Sequence, residues 1–441
     1  MPHTRRTFLT LSGGVLGGIA TGTMVTAAER TDRFIVQTKG KRLPRGLNVV
    51  HEMPGVKFAV VEGSEKAVRK SKAVKNFAPD VEIELNEPEV NAEAPTLDAS
   101  DYEGQPGDTY QWDKADLKVP EAHDTTEGEG TRVAVIDSGV LETHPDLAGP
   151  LNLELSKNFT SDGGDHNPVA DGDHGTHVAG IVAADNGGEA GVNGTAPKTD
   201  LVDCRVFSAE DGASFADILA AVVYSVNVDA DVANLSLGAY PVPRQGEGDF
   251  YGKVLNSTMT YANKEGTLLV IAAGNDSADL QHDGNVISLP NEGAQALSVS
   301  ATGPIGYGLS FDLEDLQSGP ESPAFYTNYG TNAITLGAPG GDADTSLTDP
   351  VDGVPAYAYD LVFNTVFSVD ESGNQIPGYG WKAGTSMAAP NVAGAAALVK
   401  SANPNYNANQ VESALKRAAD VPEGYDKTYY GSGYLNIVDA L

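Results

Sequence analysis

The 441 residues contain a single cysteine, Cys204. No intramolecular disulfide can form, whatever the compartment, so the fold must hold without cross-links. Cys204 lies in Leu201-Val-Asp-Cys-Arg-Val-Phe207, which reads as a strand, and is expected to be a buried structural thiol rather than a nucleophile. Positive charge is also scarce. Lys and Arg number 28 against 61 Asp and Glu, a formal net charge of −33. The deficit is uneven: residues 1–80 hold 14 of the basic and 6 of the acidic residues, leaving 14 basic and 55 acidic residues after them. Such a polyanionic body argues against nucleic acid or anionic membranes as partners. Its carboxylates are spread along the whole body, which points to adaptation to high salt; plain solubility is the simpler alternative. Beyond the N-terminus there is no run of eighteen apolar residues, so nothing there is long enough to span a membrane as a helix.

The N-terminus reads Thr4-Arg-Arg-Thr-Phe-Leu9, followed by a stretch rich in Leu, Gly, Ala and Thr up to Ala28. Paired arginines before a weakly apolar segment suggest a removable twin-arginine export signal over residues 1–28, and hence a secreted protein. The alternative is a membrane anchor, which the glycines and threonines make weakly hydrophobic. Residues 29–86 read as a small α+β unit, with strands at Phe34-Ile-Val-Gln37, Lys57-Phe-Ala-Val-Val61 and Val81-Glu-Ile-Glu-Leu85 and a helical stretch from Ser64 to Lys75. Residues 87–107, rich in Pro, Glu, Ala, Asp and Gly, read as a flexible linker. Residues 108–441 alternate apolar strands with helices rich in small residues. Strands are expected at 132–136, 200–206, 232–235, 268–272 and 296–300, and helices at 174–184, 214–227, 250–265, 386–402 and 408–418. Buried strands separated by helices predict an α/β fold with a doubly wound, mostly parallel sheet.

Four polar residues fall where such a sheet places a site, at strand ends and helix starts. Asp137 follows Val133-Ala-Val-Ile136 directly, where a carboxylate can orient an imidazole or simply cap a turn. His174 opens His174-Gly-Thr-His-Val-Ala-Gly180. Its neighbour His177 makes a metal pair conceivable, but the Glu of a His-Glu-x-x-His arrangement is missing, so His177 is expected to be structural. Ser386 lies in Gly384-Thr-Ser-Met-Ala-Ala-Pro390, at the start of an Ala-rich helix whose N-terminus offers a backbone N–H and a positive dipole; a plain cap is the alternative. Asn275 ends Ile271-Ala-Ala-Gly-Asn275 after a buried strand, as a turn residue or as an amide donor. Nucleophile, base, orienting group and oxyanion donor are the parts that peptide hydrolysis needs.

Together, and in this order, the four stretches resemble the subtilisin-like serine peptidases (subtilases), in particular their halolysin type. The resemblance covers about residues 108–441. An α/β-hydrolase would need its His after the Ser, and the last histidine here is His282. The resemblance implies a serine endopeptidase in which Ser386 attacks, His174 is base and then acid, Asp137 orients His174, and the Ser386 N–H and Asn275 side chain hold the oxyanion. It further implies that Ser236, Leu237 and Gly238 form one wall of the pocket for the residue before the cut. Ala273 and Gly274 would form the other, with Gly212 on an edge strand for more distant subsites. Asp146, and with it Asp108, match candidate ligands of a structural calcium; a solvated surface role is the alternative. No organic cofactor is expected. Residues 29–86 resemble the inhibitor propeptide of these enzymes, which blocks the cleft until the linker at 87–107 is cut. With 12 basic and 6 acidic residues over 29–80, it would be attracted to the polyanionic body, less so in strong salt. The expected partners are protein or peptide substrates and this propeptide, with the enzyme acting as a monomer.

One departure stands out. Ser386 lies 111 residues after Asn275, and the excess over compact relatives falls in 305–323 and 340–380, as surface elaborations or as a lid. Two alternatives to a broad endopeptidase remain at this stage. One is a processing peptidase for a single exported precursor; the other is an inactive relative that binds peptides without cutting them.

Overall fold

Along Arg132-Val-Ala-Val-Ile-Asp137, side chains alternate between two apolar layers, and that alternation sets the architecture. Val133 and Val135 pack with the helices His174–Ala183, Thr385–Ala402 and Ala408–Ala418. Ala134 and Ile136 pack with the helices Phe215–Asn227 and Gly248–Glu265 on the opposite face. A strand apolar on both sides needs helices on both sides, which a parallel sheet with crossover helices provides. In this computed structural model, residues 30–40, 46–83, 85, 87–88, 96–98, 106–186, 191–208, 212–244 and 248–441 are described. The expected export signal at 1–28 and most of the expected linker at 87–107 lie outside them.

The central sheet has seven strands in the order Leu336–Pro339, Ala296–Thr302, Leu268–Ala272, Val232–Leu235, Arg132–Asp137, Asp200–Arg205 and Lys157–Asn158. Every neighbouring pair is parallel. The expected doubly wound α/β fold is therefore present, with the five expected strands at its centre. The two outer strands, Lys157–Asn158 and Leu336–Pro339, escape sequence reading because one is two residues long and the other is Leu-Gly-Ala-Pro. No described helix is long and apolar enough to cross a membrane.

The N-terminal unit is a four-stranded antiparallel sheet in the order Asn48–Met53, Phe58–Glu62, Arg30–Thr38, Val74–Asp80. The helix expected at 64–75 stops at Lys70, and Val74–Asp80 is an edge strand instead. Pairing with Arg30–Thr38 outweighs the helix-forming lysines, and an edge position tolerates Pro79. The sheet has two buried faces. Phe34, Val36, Ala59 and Val61 close over Val68 of the short helix Glu65–Lys70. Ile35, Phe58 and Val60 join the core formed by the helices Phe215–Asn227 and Gly248–Glu265.

The segments 305–323 and 340–380 are not purely surface elaborations. Tyr307 and Phe311 pack with Tyr359 and Trp381 in an aromatic cluster whose ring centroids lie 4.9 Å apart for Phe311–Tyr359 and 5.2 Å apart for Tyr359–Trp381. Buried Asp360 accepts the backbone N–H groups of Gly306 at 3.0 Å and Tyr307 at 2.7 Å. The hairpin Val362–Val369/Gln375–Lys382 lies against the helix His174–Ala183, with the Thr365 hydroxyl donating to the Thr176 carbonyl at 2.8 Å.

Candidate active site

Asp137, His174, Asn275 and Ser386 sit at strand ends and helix starts, where open α/β sheets place ligands. Asp137 is the last residue of its strand and His174 the first of its helix. His174 Nδ1 lies 2.8 Å from Asp137 Oδ1, which also accepts the Ser138 N–H at 2.7 Å. Both side chains are buried. The Ser138 hydroxyl donates to the Gly172 carbonyl at 3.0 Å and accepts the Gly175 N–H at 2.8 Å, tying the two loops together. Gly175 permits this approach: a Cβ there would stand 2.6 Å from the Gly139 carbonyl oxygen. Burial works against an imidazolium at His174. The Asp137 charge and hydrogen bond, with a contribution from Glu87, outweigh it and hold the pKa above its usual value. Nε2, the nitrogen that would meet a nucleophile, is buried without a hydrogen-bond partner.

Ser386 is the second residue of its helix. Its hydroxyl donates to the Ser236 carbonyl at 3.1 Å, and its own carbonyl accepts the Ser236 hydroxyl at 2.7 Å. Asn275 Oδ1 accepts both the backbone N–H and the hydroxyl of Thr385 at 2.9 Å, which fixes the amide with Nδ2 on the other side. Gly384, at φ +152°, enters the helix in a conformation that favours glycine. A Cβ at this position would lie 3.5 Å from both Asn275 Nδ2 and the Ser386 nitrogen, so these two N–H groups border one small space.

Ser236 and Gly274, expected in opposite pocket walls, both bond to this helix start. Ser236 bonds Ser386 as above, and the Gly274 N–H donates to the Thr385 hydroxyl at 3.0 Å. Leu237 and Ala273 are buried beside them, and Gly238 follows. Gly212 begins the short strand Gly212–Ser214, which pairs antiparallel with Glu82–Ile83 of the chain's own N-terminal part.

Sequence reading missed four contributors. Ser138 and Thr385 adjoin Asp137 and Ser386, where a side-chain hydroxyl was available to brace each loop. Asn328 carried no local signal. It is fully buried, donates to the Ala273 carbonyl at 3.0 Å, accepts the N–H groups of Asp276 and Ala278, and donates its backbone N–H to Gly274 at 2.9 Å. Lys382 is the fourth: its Nζ lies 2.9 Å from Asp173 Oδ1 and 3.8 Å from Glu87 Oε1. Burial disfavours its charge, but Asp173 and Glu87 outweigh that and raise its pKa. His177 is fully buried, with Nε2 3.1 Å from the Val362 carbonyl oxygen, and burial pushes its pKa well down, as suits a structural histidine.

The two candidate calcium ligands differ. Asp146 is fully buried; Oδ2 accepts the Val192 N–H at 2.9 Å and Oδ1 has no hydrogen-bond partner. Asp108 belongs to the helix Pro106–Tyr110, and its side chain is outside the described residues. Among the described residues, no group of three or more His, Cys, Asp or Glu side chains is placed to hold a metal. The buried orphan oxygen of Asp146 fits a calcium ligand, but the described residues do not complete a site. Cys204 is a buried free thiol, as expected.

Residues 128–433 match the subtilase family of peptidases (peptidase S8). The chain is 31 % identical over 341 residues to a thermophilic serine proteinase of Bacillus sp. (strain AK1), covering 76 % of this chain and 69 % of that protein. It is 28 % identical over 341 residues to thermitase of Thermoactinomyces vulgaris, covering 76 % of this chain and 99 % of thermitase. Among solved structures, a protease of Pseudoalteromonas arctica PAMC 21717 superposes with a TM-score of 0.60 at 28 % identity over 76 % of this chain and 98 % of that one. An epidermin leader peptide processing serine protease from Staphylococcus aureus shares the fold with a TM-score of 0.69 at 20 % identity, over 92 % of this chain and 97 % of its own. The fold, the order of the motifs and the family match agree: this chain belongs to the subtilase family of serine peptidases.

Proposed function

We propose that the chain is a secreted, salt-adapted endopeptidase with Asp137, His174 and Ser386 as its catalytic triad. The observation that carries this is the His174 ring, held at Nδ1 by Asp137 with Nε2 unpartnered. For chemistry the Ser386 hydroxyl turns from Ser236 towards Nε2, gives up its proton there and attacks the scissile carbonyl. Asp137 stabilises the imidazolium that forms. The oxyanion is received by the Ser386 N–H and Asn275 Nδ2 in the space that Gly384 leaves open. His174 then protonates the leaving amine, and a water repeats the cycle on the acyl-Ser386.

The N-terminal unit at 29–86 serves as an inhibitor propeptide in this proposal, supported by the pairing of Glu82–Ile83 with Gly212–Ser214 on the expected substrate edge. Removal follows a cut in the linker, after export through the twin-arginine signal at 1–28. A relative from Xanthomonas campestris bears the name extracellular protease, in keeping with secretion. A structural calcium at Asp146, with Asp108, belongs to the same proposal and predicts a lower unfolding temperature in EDTA than in calcium.

The test compares wild type with Ser386→Ala, both as full chains in high salt with calcium, following chain mass and casein hydrolysis. Wild type should shorten by the mass of the N-terminal part and digest casein, while Ser386→Ala stays long and inert. A folded wild type that does neither refutes the endopeptidase. A narrower role, processing of one exported precursor, draws support from the lanthipeptide protease at 25 % identity and TM-score 0.60 among the structural neighbours. That role predicts cleavage of few peptides in a library and little of casein.

A further inference from the structure

Described residues at the end of the N-terminal unit and just after it lie close to the candidate site. Glu82–Ile83 pairs antiparallel with Gly212–Ser214, and Leu97–Asp98 pairs antiparallel with Gly378–Tyr379. Lys382 ends the strand Gln375–Lys382 that carries the second pairing. Between the two pairings, Glu87 brings its carboxylate to 3.8 Å from Lys382 Nζ. The charge of Glu87 is also felt by His174. On the other side, Lys382 is tied at 2.9 Å to Asp173, the residue before His174.

We propose that Lys382 is a specificity-determining residue that favours an acidic side chain in the substrate, just after the scissile bond. The proposal rests on the triad assigned above. Chain direction supplies the register. A peptide laid along Gly212–Ser214 as Glu82–Ile83 is would present its later residues to His174. His174 must reach the leaving nitrogen, so a side chain lying beside it and Lys382 belongs to the leaving half. An ammonium has three donors, and Asp173 occupies one direction, so a second carboxylate can bind without displacing the first. The choice is sharpened by context. Lys382 is one of only 14 basic residues among 55 acidic ones after residue 80, and most of this surface repels an acidic substrate. Its side chain is 21 % exposed, whereas that of Glu87 is 53 % exposed, so the attraction is partly screened and modest.

The test uses quenched fluorescent peptides that differ only in Glu or Gln at the first or the second position after the cut. They are assayed with the self-processed full-chain product in the lowest salt that sustains activity, and again in molar salt. Wild type should favour Glu by about 5-fold in kcat/KM at one of the two positions, and less so in molar salt. The gain should appear mainly in KM. Lys382→Met should bring the Glu-to-Gln ratio to about one, and Lys382→Arg should retain the preference. Equal cleavage of Glu and Gln peptides by wild type overturns the proposal. So does a Lys382→Met enzyme that loses activity on both peptides alike, since Lys382 then acts only through Asp173 and His174. If wild type cuts neither peptide and is not labelled by a fluorophosphonate, the triad assignment fails, and the proposal with it.

Discussion

The Ser386 hydroxyl donates to the Ser236 carbonyl at 3.1 Å, while His174 Nε2 is buried without a partner. In this state, with Glu82–Ile83 paired to Gly212–Ser214, the proposed nucleophile bonds Ser236 and not its proposed base. Fluorophosphonate labelling of Ser386 should therefore be slow in the uncut chain and at least about 10-fold faster after removal of the N-terminal part. Equal labelling rates, measured on a chain whose linker resists cutting, would show that the N-terminal unit leaves the site open.

As the proposed base, His174 sets the expected pH profile. Its raised pKa means that kcat/KM climbs with pH through an apparent pKa above 6.5, because the base must be neutral. The same shift stabilises the fold fully below the unfolded value and is lost as pH rises through the folded one. Asp137→Asn removes the leading influence that raises the pKa. Its rising limb should move to lower pH, with turnover down about 10⁴-fold. An unchanged limb in stopped-flow or steady-state profiles would remove Asp137 from its assigned role.

Asn275, the proposed oxyanion donor, and Asn328, which braces the loop behind it, separate by depth. Asn275→Ala should lower kcat by about 10²–10³ with little change in KM, the loss typical of one such donor. Asn328→Ala should produce a smaller fall, because Asn328 acts by holding Ala273, Gly274 and Asp276 in place. Thermal unfolding ranks the two: Asn275→Ala ends two bonds to buried Thr385 and should lower the midpoint, and Asn328→Ala, fully buried and bonded to Ala273, Asp276 and Ala278, should lower it further.

Arg33 joins the N-terminal unit to the body through buried carboxylates. Its Nε lies 3.0 Å from Asp80, and Nη2 bonds Asp217 of the helix Phe215–Asn227. His51 Nε2 lies 2.7 Å from the same Asp217, and Asp80 also caps the helix by accepting the Ala216 N–H at 3.0 Å. In a Ser386→Ala background, which keeps the chain whole, Arg33→Met should cost about 3–5 kcal/mol, because two buried carboxylates lose their counter-ion. The cost should persist in molar salt, since burial shields the pair from screening. A loss under 1 kcal/mol in denaturant unfolding would mean that water reaches the cluster.

Much of this was legible from the residues. The five expected helices of the body were placed within one or two residues, because small and apolar residues recur at helical spacing and the breaks carry Gly, Pro or Asn; the short helices such as Trp112–Asp116 and Val119–His123 were not. The candidate triad could be picked out because each member adjoins a strand or helix whose apolar pattern is strong. Sequence could not pair Asn328 with Asp276, 52 residues away, nor set Lys382 beside Asp173. Those contacts are made by the fold, and neither residue stands in a local pattern. The helical reading of Ser64 to Lys75 ran past the true end at Lys70 into Val74–Asp80, because its lysines look helical until a partner strand is known. The role of 305–323 and 340–380 stayed open in the sequence, between surface elaboration and lid. Their acidic loops mask the aromatic residues Tyr307, Phe311 and Tyr359, which meet only in three dimensions.

The N-terminal sheet closes one face with its own short helix and the other with the body's helices. Held on one chain, the two surfaces meet at an effective concentration of the order of millimolar, and contact is nearly permanent. Once the chain is severed, the same encounter depends on bulk dilution. A fragment drifting free exposes Ile35, Phe58 and Val60 to water, with only a handful of buried side chains left to keep it folded. The proposed cut, made in dilute surroundings, would thus act as a ratchet: the small N-terminal part and the body separate once and have little means of coming back together.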